Sequence, residues 1–498
     1  MAQSSGAVRA IRSTIPDALF TDPSTQAKIQ LKRASDGTLG VSFEREAPPL
    51  SATRSLSWFI GSGRIGRSFA FQQQGFLYQS PVSWYAEDQT WRASPGFQRR
   101  TSVDLTRAVE PACLLCHSSR LQAVNGIQNQ YDAKAPFLEG GVACERCHGP
   151  GQLHVTKMKA AGARPSADKA IINPVRLQPA QRDRVCAQCH LTGAVRIARA
   201  ATKGRGSYTP GDDLSRTVAV FVWDGAKEAG LTVTSHFETL ALSRCKQATG
   251  DRLWCGTCHD PHGTPVDVRA RCVSCHETAS KCTVSLSVRR TRNGDKCQDC
   301  HMPKSAVKDA EHAVYTDHSI PRNAATLSKE TPGSALRELV PFWRATTADS
   351  RDLALAYATA ALTEPSMRRR AFELLRTAEA RDPSDLAIAA QLAQFHDRLG
   401  QPAEAMKLYE RVVAAGTPNT AALINLGTLY AQSGRPGDAI VLWQSALVRN
   451  PASTQARINM AVAQIRQGDR QAGIASLRAA LSWDPDSPVV AKLLSDSH

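Results

Sequence analysis

Six times in this chain two cysteines stand three positions apart with a histidine directly after the second: CLLCH (113–117), CERCH (144–148), CAQCH (186–190), CGTCH (255–259), CVSCH (272–276) and CQDCH (297–301). The copies take 12 of the 14 cysteines, whereas chance at this composition supplies roughly 0.01 copies of the motif. One chemistry explains the spelling. Two thiols at this spacing add across the two vinyl groups of a haem, and the adjacent histidine is then held under the iron. Zinc also accepts C-x-x-C pairs, but it asks for no histidine after every second cysteine. A disulfide framework leaves the six histidines equally unexplained. The sequence therefore implies six covalently attached c-type haems. Cys113, Cys116, Cys144, Cys147, Cys186, Cys189, Cys255, Cys258, Cys272, Cys275, Cys297 and Cys300 would form the thioethers. His117, His148, His190, His259, His276 and His301 would be the proximal iron ligands.

What fills the opposite face of each iron separates electron transfer from catalysis. Of the 13 histidines, seven remain. His498 ends the chain, and His396 lies in a helical repeat at a position usually filled by a packed aromatic. His154, His236, His262, His312 and His318 are the candidate distal ligands. Five spare histidines for six haems predict mostly bis-His, coordinatively full carriers, with one iron taking another ligand or keeping an open face. Met158, one helical turn after His154, is a candidate for that place, or packs on porphyrin. Met302 follows His301 directly and cannot reach the far face of the same iron. The three-residue tether from His259 is too short to carry His262 around the macrocycle, which directs His262 to a neighbouring haem. The same logic holds for His154 after His148. Cys245 and Cys282 are left over; a disulfide, two buried thiols or an unusual haem ligand are the readings open to them.

The formal charge of +16 invites a nucleic-acid reading, but about twelve haem propionates would absorb much of it, leaving roughly +10 oxidised and +4 reduced by simple charge counting. No nucleic-acid motif accompanies the charge. The remainder suits steering of redox partner proteins, acidic ones in particular. No apolar run approaches the roughly 20 residues that span a bilayer. The start, MAQSSGAVRAIRSTIPDALF, lacks the apolar core of a secretion signal. Because haem attachment occurs outside the cytoplasm, a periplasmic, extracellular or cell-surface location in a bacterium is expected, with Met1 internal to a longer precursor or the leader already removed.

CERCHGPGQLH, LWCGTCHDPHG and CQDCHMP resemble motifs of the multihaem cytochromes c related to hydroxylamine oxidoreductase and pentahaem nitrite reductase, most closely the electron-carrier members. The resemblance covers roughly residues 50–320 and is specific at the motifs. It implies a mainly helical haem domain with little regular sheet and closely stacked haems, with His154 and His262 as distal ligands to neighbours. The chain shows no CxxCK motif, which marks the catalytic haem of many nitrite reductases, and no tyrosine-crosslink context. Both departures favour electron transfer over catalysis.

Two cysteine-poor regions flank the motifs. SLSWFIGSGRIGRSFAFQQQGFLYQSPVSWYA is aromatic, β-branched and punctuated by glycine, which predicts short strands. Trp58, Tyr78, Trp84, Tyr85 and Trp91 are expected to pack this layer over the haem domain, or to line a groove. At the other end a 34-residue period relates Gly434 to Gly468, Trp443 to Leu477, Ala446 to Ala480 and Pro451 to Pro485; Leu392, Gly400, Ala405 and Tyr409 extend it upstream. This resembles the tetratricopeptide repeat, a helix–turn–helix solenoid that binds partners and seldom catalyses.

The expected fold class is mainly α: a multihaem cytochrome c domain (111–321), a β-containing N-terminal region packing on it (1–110), a linker (322–350) and an α-solenoid of tetratricopeptide repeats (351–498). The expected function is an exported electron relay with a repeat domain for docking or assembly. The alternatives are a reductase or oxidase of a small nitrogen or sulfur compound at one open haem, and a subunit of an extracellular cytochrome filament or surface complex.

Overall fold

The computed structural model describes residues 4–11, 15–98, 100–109, 114–124, 127, 129–161, 169–199, 208–224, 235–276, 282–306, 314–322, 337–343, 349–416 and 419–497. Cys113, His312, His498, Met1 and the centre of the expected linker, 323–336, lie outside these residues. By contact the chain forms two compact units, one of Ala2–Gly141 with Ala361–His498 and one of Val142–Ala360. The first motif therefore groups with the flanking regions, and the other five share a unit.

In the first unit, beside a two-stranded sheet of β10 (Ser118–Leu121) and β11 (Phe137–Gly140), alternation of apolar and polar residues builds two larger antiparallel sheets. One has four strands in sequence order: β2 (Ala18–Thr21), β3 (Lys28–Arg33), β4 (Leu39–Arg45) and β5 (Leu50–Leu56). Ile29, Leu31, Leu39, Val41 and Phe43 face inward from the β3–β4 hairpin. The turn of this hairpin is set locally: the Asp36 carboxylate accepts the Thr38 N–H at 2.9 Å, and Gly37 takes φ +82°. The other sheet runs β1 (Ser5–Ala7), β6 (Trp58–Ile60), β7 (Gly66–Gln73), β8 (Phe76–Tyr85) and β9 (Thr90–Ala93). Its Phe69, Phe71, Tyr78, Trp84 and Trp91 share one core with the inward residues of the first sheet. Trp58 packs in a second cluster with Leu77, Tyr131 and Leu114, the last being part of the first motif.

Helices in antiparallel pairs make up residues 368–496, including Leu386–Arg398 with Pro402–Ala414, Thr420–Gln432 with Pro436–Arg449 and Thr454–Arg466 with Arg470–Trp483. The small residues of the period sit where helices cross. A Cβ on Gly427 would stand 2.6 Å from Trp443 Nε1, and that nitrogen donates to the Ile424 carbonyl at 3.1 Å. Gly400, Gly434 and Gly468 take φ of +69°, +81° and +90° at the turns that join the helices of each pair, a conformation glycine adopts without strain.

The end of this array closes the sandwich core. Ala452 and Trp483 are members of it, and the Trp483 ring meets Tyr78 edge-on at 5.7 Å. Beside them Arg45 and Asp486 form a buried ion pair, side chains 9% and 5% exposed, and Asp486 also accepts the Val103 N–H at 2.7 Å.

The second unit holds short helices and two small sheets, β12 (Val195–Ala198), β13 (Val218–Trp223) and β16 (Leu339–Pro341) in one and β14 (Lys304–Ala306) with β15 (Val314–Thr316) in the other. The protein as a whole mixes helix and sheet, where the expected fold class was mainly α with a small β-containing N-terminal region. The difference arises in residues 5–93, whose period-2 patterning forms nine strands among the described residues.

Removing one partner of a buried pair strands the other charge, at about 3–5 kcal/mol. Asp486→Ala is therefore expected to lower the thermal midpoint of this unit markedly, and Arg45→Met with Asp486→Leu to recover most of it, by circular dichroism at 222 nm. Asp484 makes a separate prediction. Burial, then the carboxylates of Asp104 and Asp486, push its acid up to about 6. A raised carboxylate favours the folded state while protonated and loses that advantage as pH rises through the folded value. Stability should fall between about pH 4 and 6, and Asp484→Asn should flatten that slope.

Candidate haem-attachment sites

Each CxxCH motif that lies wholly within the described residues forms or ends a helix. The helices are α1 (Glu145–His148), α3 (Pro179–His190), α6 (Cys255–Cys258), α7 (Val268–His276) and α9 (Cys297–His301). At 3.6 residues per turn, positions i, i+3 and i+4 share one side, so both thiols and the histidine can address one ligand. In the first motif Leu114 is fully buried, His117 is tucked in so that burial lowers its imidazole pKa, and its carbonyl accepts Ser4 Oγ at 2.9 Å.

The histidines converge across motifs. The rings of His148 and His262 stand 6.0 Å apart, centroid to centroid, with planes 21° apart. His259 and His318 stand 6.2 Å apart at 27°. Two imidazoles bound on opposite faces of one iron, each by a bond of about 2 Å, place their centroids about 6 Å apart, so both pairs fit a bis-His haem. His236, on α4 (His236–Leu242), lies 5.1 Å from His190 at 87° and 4.8 Å from His318. His154 and Met158 occupy half-buried positions of α2 (Gln152–Ala161), a helix otherwise mostly exposed. His276 is exposed.

Backbone carbonyls orient the rings. Nδ1 of His148 meets the Ile172 carbonyl at 2.7 Å, that of His301 meets Pro321 at 3.0 Å, and that of His318 meets Thr316 at 2.7 Å. Each contact leaves Nε2 as the free ligating atom. For His262 the partner is the Asp260 carboxylate, 3.3 Å from Nδ1. Burial lowers the pKa of His190 and His318, keeping the imidazole in the neutral form that binds metal.

Polar clips hold neighbouring motifs together. Lys246 donates to Asp183 at 3.1 Å and to the Leu253 carbonyl at 2.7 Å, and Arg182 lies over the Trp254 ring at 4.5 Å. These contacts bind α3, which carries the third motif, to the loop before the fourth. There the Cys186 and Cys255 thiols share a hydrogen bond, raising the pKa of the first and lowering that of the second. Glu238 accepts the Thr192 and Gly193 N–H groups at 3.2 and 2.8 Å, tying α4 to the turn after His190. The fifth and sixth motifs meet likewise: Cys272 is pushed up to about 11 by burial and then by Cys297 and other thiols nearby.

Cys245 and Cys282 are both free thiols, so the bridge considered from the sequence is not formed. Cys282 is exposed, whereas Cys245 sits among the thiols of Cys258, Cys272 and Cys275. Among the described residues no three His, Cys, Asp or Glu side chains converge as a metal-ion site. The orienting carbonyls and the Arg182, Lys246 and Glu238 clips carry no local signature. Asp260 was visible in the CHDPH spelling as a carboxylate two positions from His262.

Comparison with known proteins agrees at both ends. Residues 83–149, which hold the first two motifs, match the family described as cytochrome c554 and c-prime. Residues 367–429 and 430–496 match the tetratricopeptide repeat. The chain thus joins a cytochrome c-type segment to tetratricopeptide repeats. No curated protein matches. Among solved structures, a MamA protein is 15% identical, covering 30% of this chain and 82% of its own, with a TM-score of 0.28. YrrB, described as a tetratricopeptide protein with an unusual peptide-binding site, is 20% identical over 30% and 77%, with a TM-score of 0.26. PilF of Pseudomonas aeruginosa is 21% identical over 30% and 67%, with a TM-score of 0.27. No helix among the described residues is long and apolar enough to cross a membrane.

Proposed function

We propose that this protein is an exported hexahaem c-type cytochrome that relays electrons through mostly bis-His haems in residues 111–321, with its repeats serving partner docking or assembly. The observation that carries the reading is the pairing of His148 with His262 at 6.0 Å and of His259 with His318 at 6.2 Å. In each pair one ring belongs to a CxxCH motif and the other is a spare histidine. Bound haem supplies a reversible one-electron couple. The chain's residues do the rest. His148 and His262 would clasp the second haem and His259 and His318 the fourth, leaving no position for a substrate at either iron. His236 is the candidate partner of His190.

The carbonyls of Ile172 and Thr316 and the Asp260 carboxylate would hold these rings in their ligating tautomer. The Lys246–Asp183 and Arg182–Trp254 contacts would keep the third and fourth motifs adjacent, as electron hopping requires. Export follows from the chemistry of thioether formation, and a periplasmic or cell-surface location with it. The tetratricopeptide match supports protein–protein contact as the role of residues 351–498.

Haem staining, pyridine haemochrome assay and mass spectrometry of the purified protein are expected to give six haems per chain, low-spin in the ferric spectrum. His262→Ala and His318→Ala should each convert one haem to the high-spin form that binds cyanide. Spectra that stay fully low-spin in both variants would refute the pairing; a high-spin, cyanide-binding haem in the unaltered protein would instead favour catalysis. Asp260→Asn should weaken the hold of His262 by about 10–100-fold, read as a partial high-spin signal.

A further inference from the structure

Helix α8 (Leu286–Asn293) leads into the sixth motif, carries three arginines and no acid, and has no buried residue. Its two sides differ. Arg289 and Asn293 turn inward: Arg289 pairs with Asp295 at 2.8 Å, and Asn293 Nδ2 donates to Cys300 Sγ at 3.3 Å. Asp295 is buried and also binds Arg269 of α7 at 2.6 Å. This ties α8 to both of the last two attachment helices and uses up the nearest negative charge. By helical spacing the outward side presents Ser287, Val288 and Thr291, with Arg290 and Arg292 on its flanks. Val288 is 50% and Leu286 42% exposed. Lys296 and Asp299 follow, both exposed and of opposite sign.

We propose that this outward side of α8 docks an acidic one-electron carrier protein beside the sixth haem attachment. A single exposed valine among hydroxyl side chains, flanked by two arginines, suits a small, electrostatically steered interface. Its charge selects an acidic partner, and its link to Cys300 puts that partner next to a motif. With haem bound, the docked carrier would pass one electron to a ferric haem, and no bond would form or break. The proposal rests on the haem reading above.

Oxidised bacterial 2[4Fe–4S] ferredoxin, a small acidic carrier, serves as the probe against the full-length holoprotein, with affinity read by isothermal titration calorimetry at about 0.02 M and about 0.3 M salt. The holoprotein is expected to bind at low salt and to lose about tenfold or more in affinity at high salt. Arg290→Glu with Arg292→Glu should weaken low-salt binding by about tenfold and remove most of the salt dependence, with the haem spectrum unchanged. Arg369→Glu with Arg370→Glu, exposed arginines in the repeats, should leave binding intact. Equal losses from both pairs, or none from the α8 pair, would overturn the proposal. So would Val288→Gln shifting the haem spectrum, because this side would then lie against porphyrin. Failure of the haem reading is separately visible as a holoprotein preparation without haem absorbance.

Discussion

Between Arg244 and His301 not one apolar side chain among the described residues is buried, although the same unit buries Ala187, Leu191, Leu214, Val218 and Val220 elsewhere, and the order of this stretch turns on that constraint. Three of the six motifs fall in this stretch, on helices of four to nine residues. Helices so short are marginal without tertiary packing, and a segment whose apolar side chains are at most half-buried is poorly placed to offset the entropy of ordering its backbone. Polar clips such as Arg269–Asp295–Arg289 set geometry, but each contributes little when partly exposed. On the haem reading the missing apolar surface is supplied by the macrocycles, and their covalent anchoring makes them part of the fold.

The same constraint explains what could be read in the sequence. Attachment is a local event, so C-x-x-C-H is visible at a glance, and its helical turn follows from the spacing. Axial pairing is not local. The tether argument sent His262 away from its own haem, and the structure sets its ring against His148. That His318 would meet His259 depended on the strand pair β14–β15 and on the Thr316 carbonyl, neither of which has a spacing to recognise. His236 reaches His190 because Glu238 caps a turn on another segment.

In the first unit the strands within residues 55–86 were legible as an aromatic, glycine-punctuated stretch, whereas those of 18–50 were passed over, although Ile29, Leu31, Val41 and Phe43 alternate there with polar neighbours. Nor was the partner that closes their core legible. Yet the repeat carries a mark of it. Trp483 and Asp486 stand 34 residues after Arg449 and Ala452, so at these places the last repeat departs from its predecessor. Trp443, by contrast, keeps to the period and packs within the array. A departure toward a large aromatic at a helix end, followed by a buried carboxylate, signals a contact that the repeat itself does not need. Burying Arg45 with Asp486 adds little net stability over an apolar pair. What the pair does add is direction, because only one arrangement of sandwich and helix end satisfies Asp486 from both Arg45 and the Val103 N–H.

The order of the ligands along the chain carries the argument one step further. In each close pair that includes a motif histidine, that histidine comes first and its partner later: 148 before 262, 259 before 318, and 190 before 236. On the haem reading, thioether attachment would proceed motif by motif during export, since each site needs only its own five residues. Completion of an iron's coordination would then wait for downstream chain. The second haem would wait for His262 in the loop after the fourth motif, and the fourth for His318 just after β15. On that reading, local attachment and delayed, crossed ligation together would turn a segment without a core of its own into one cooperative structure.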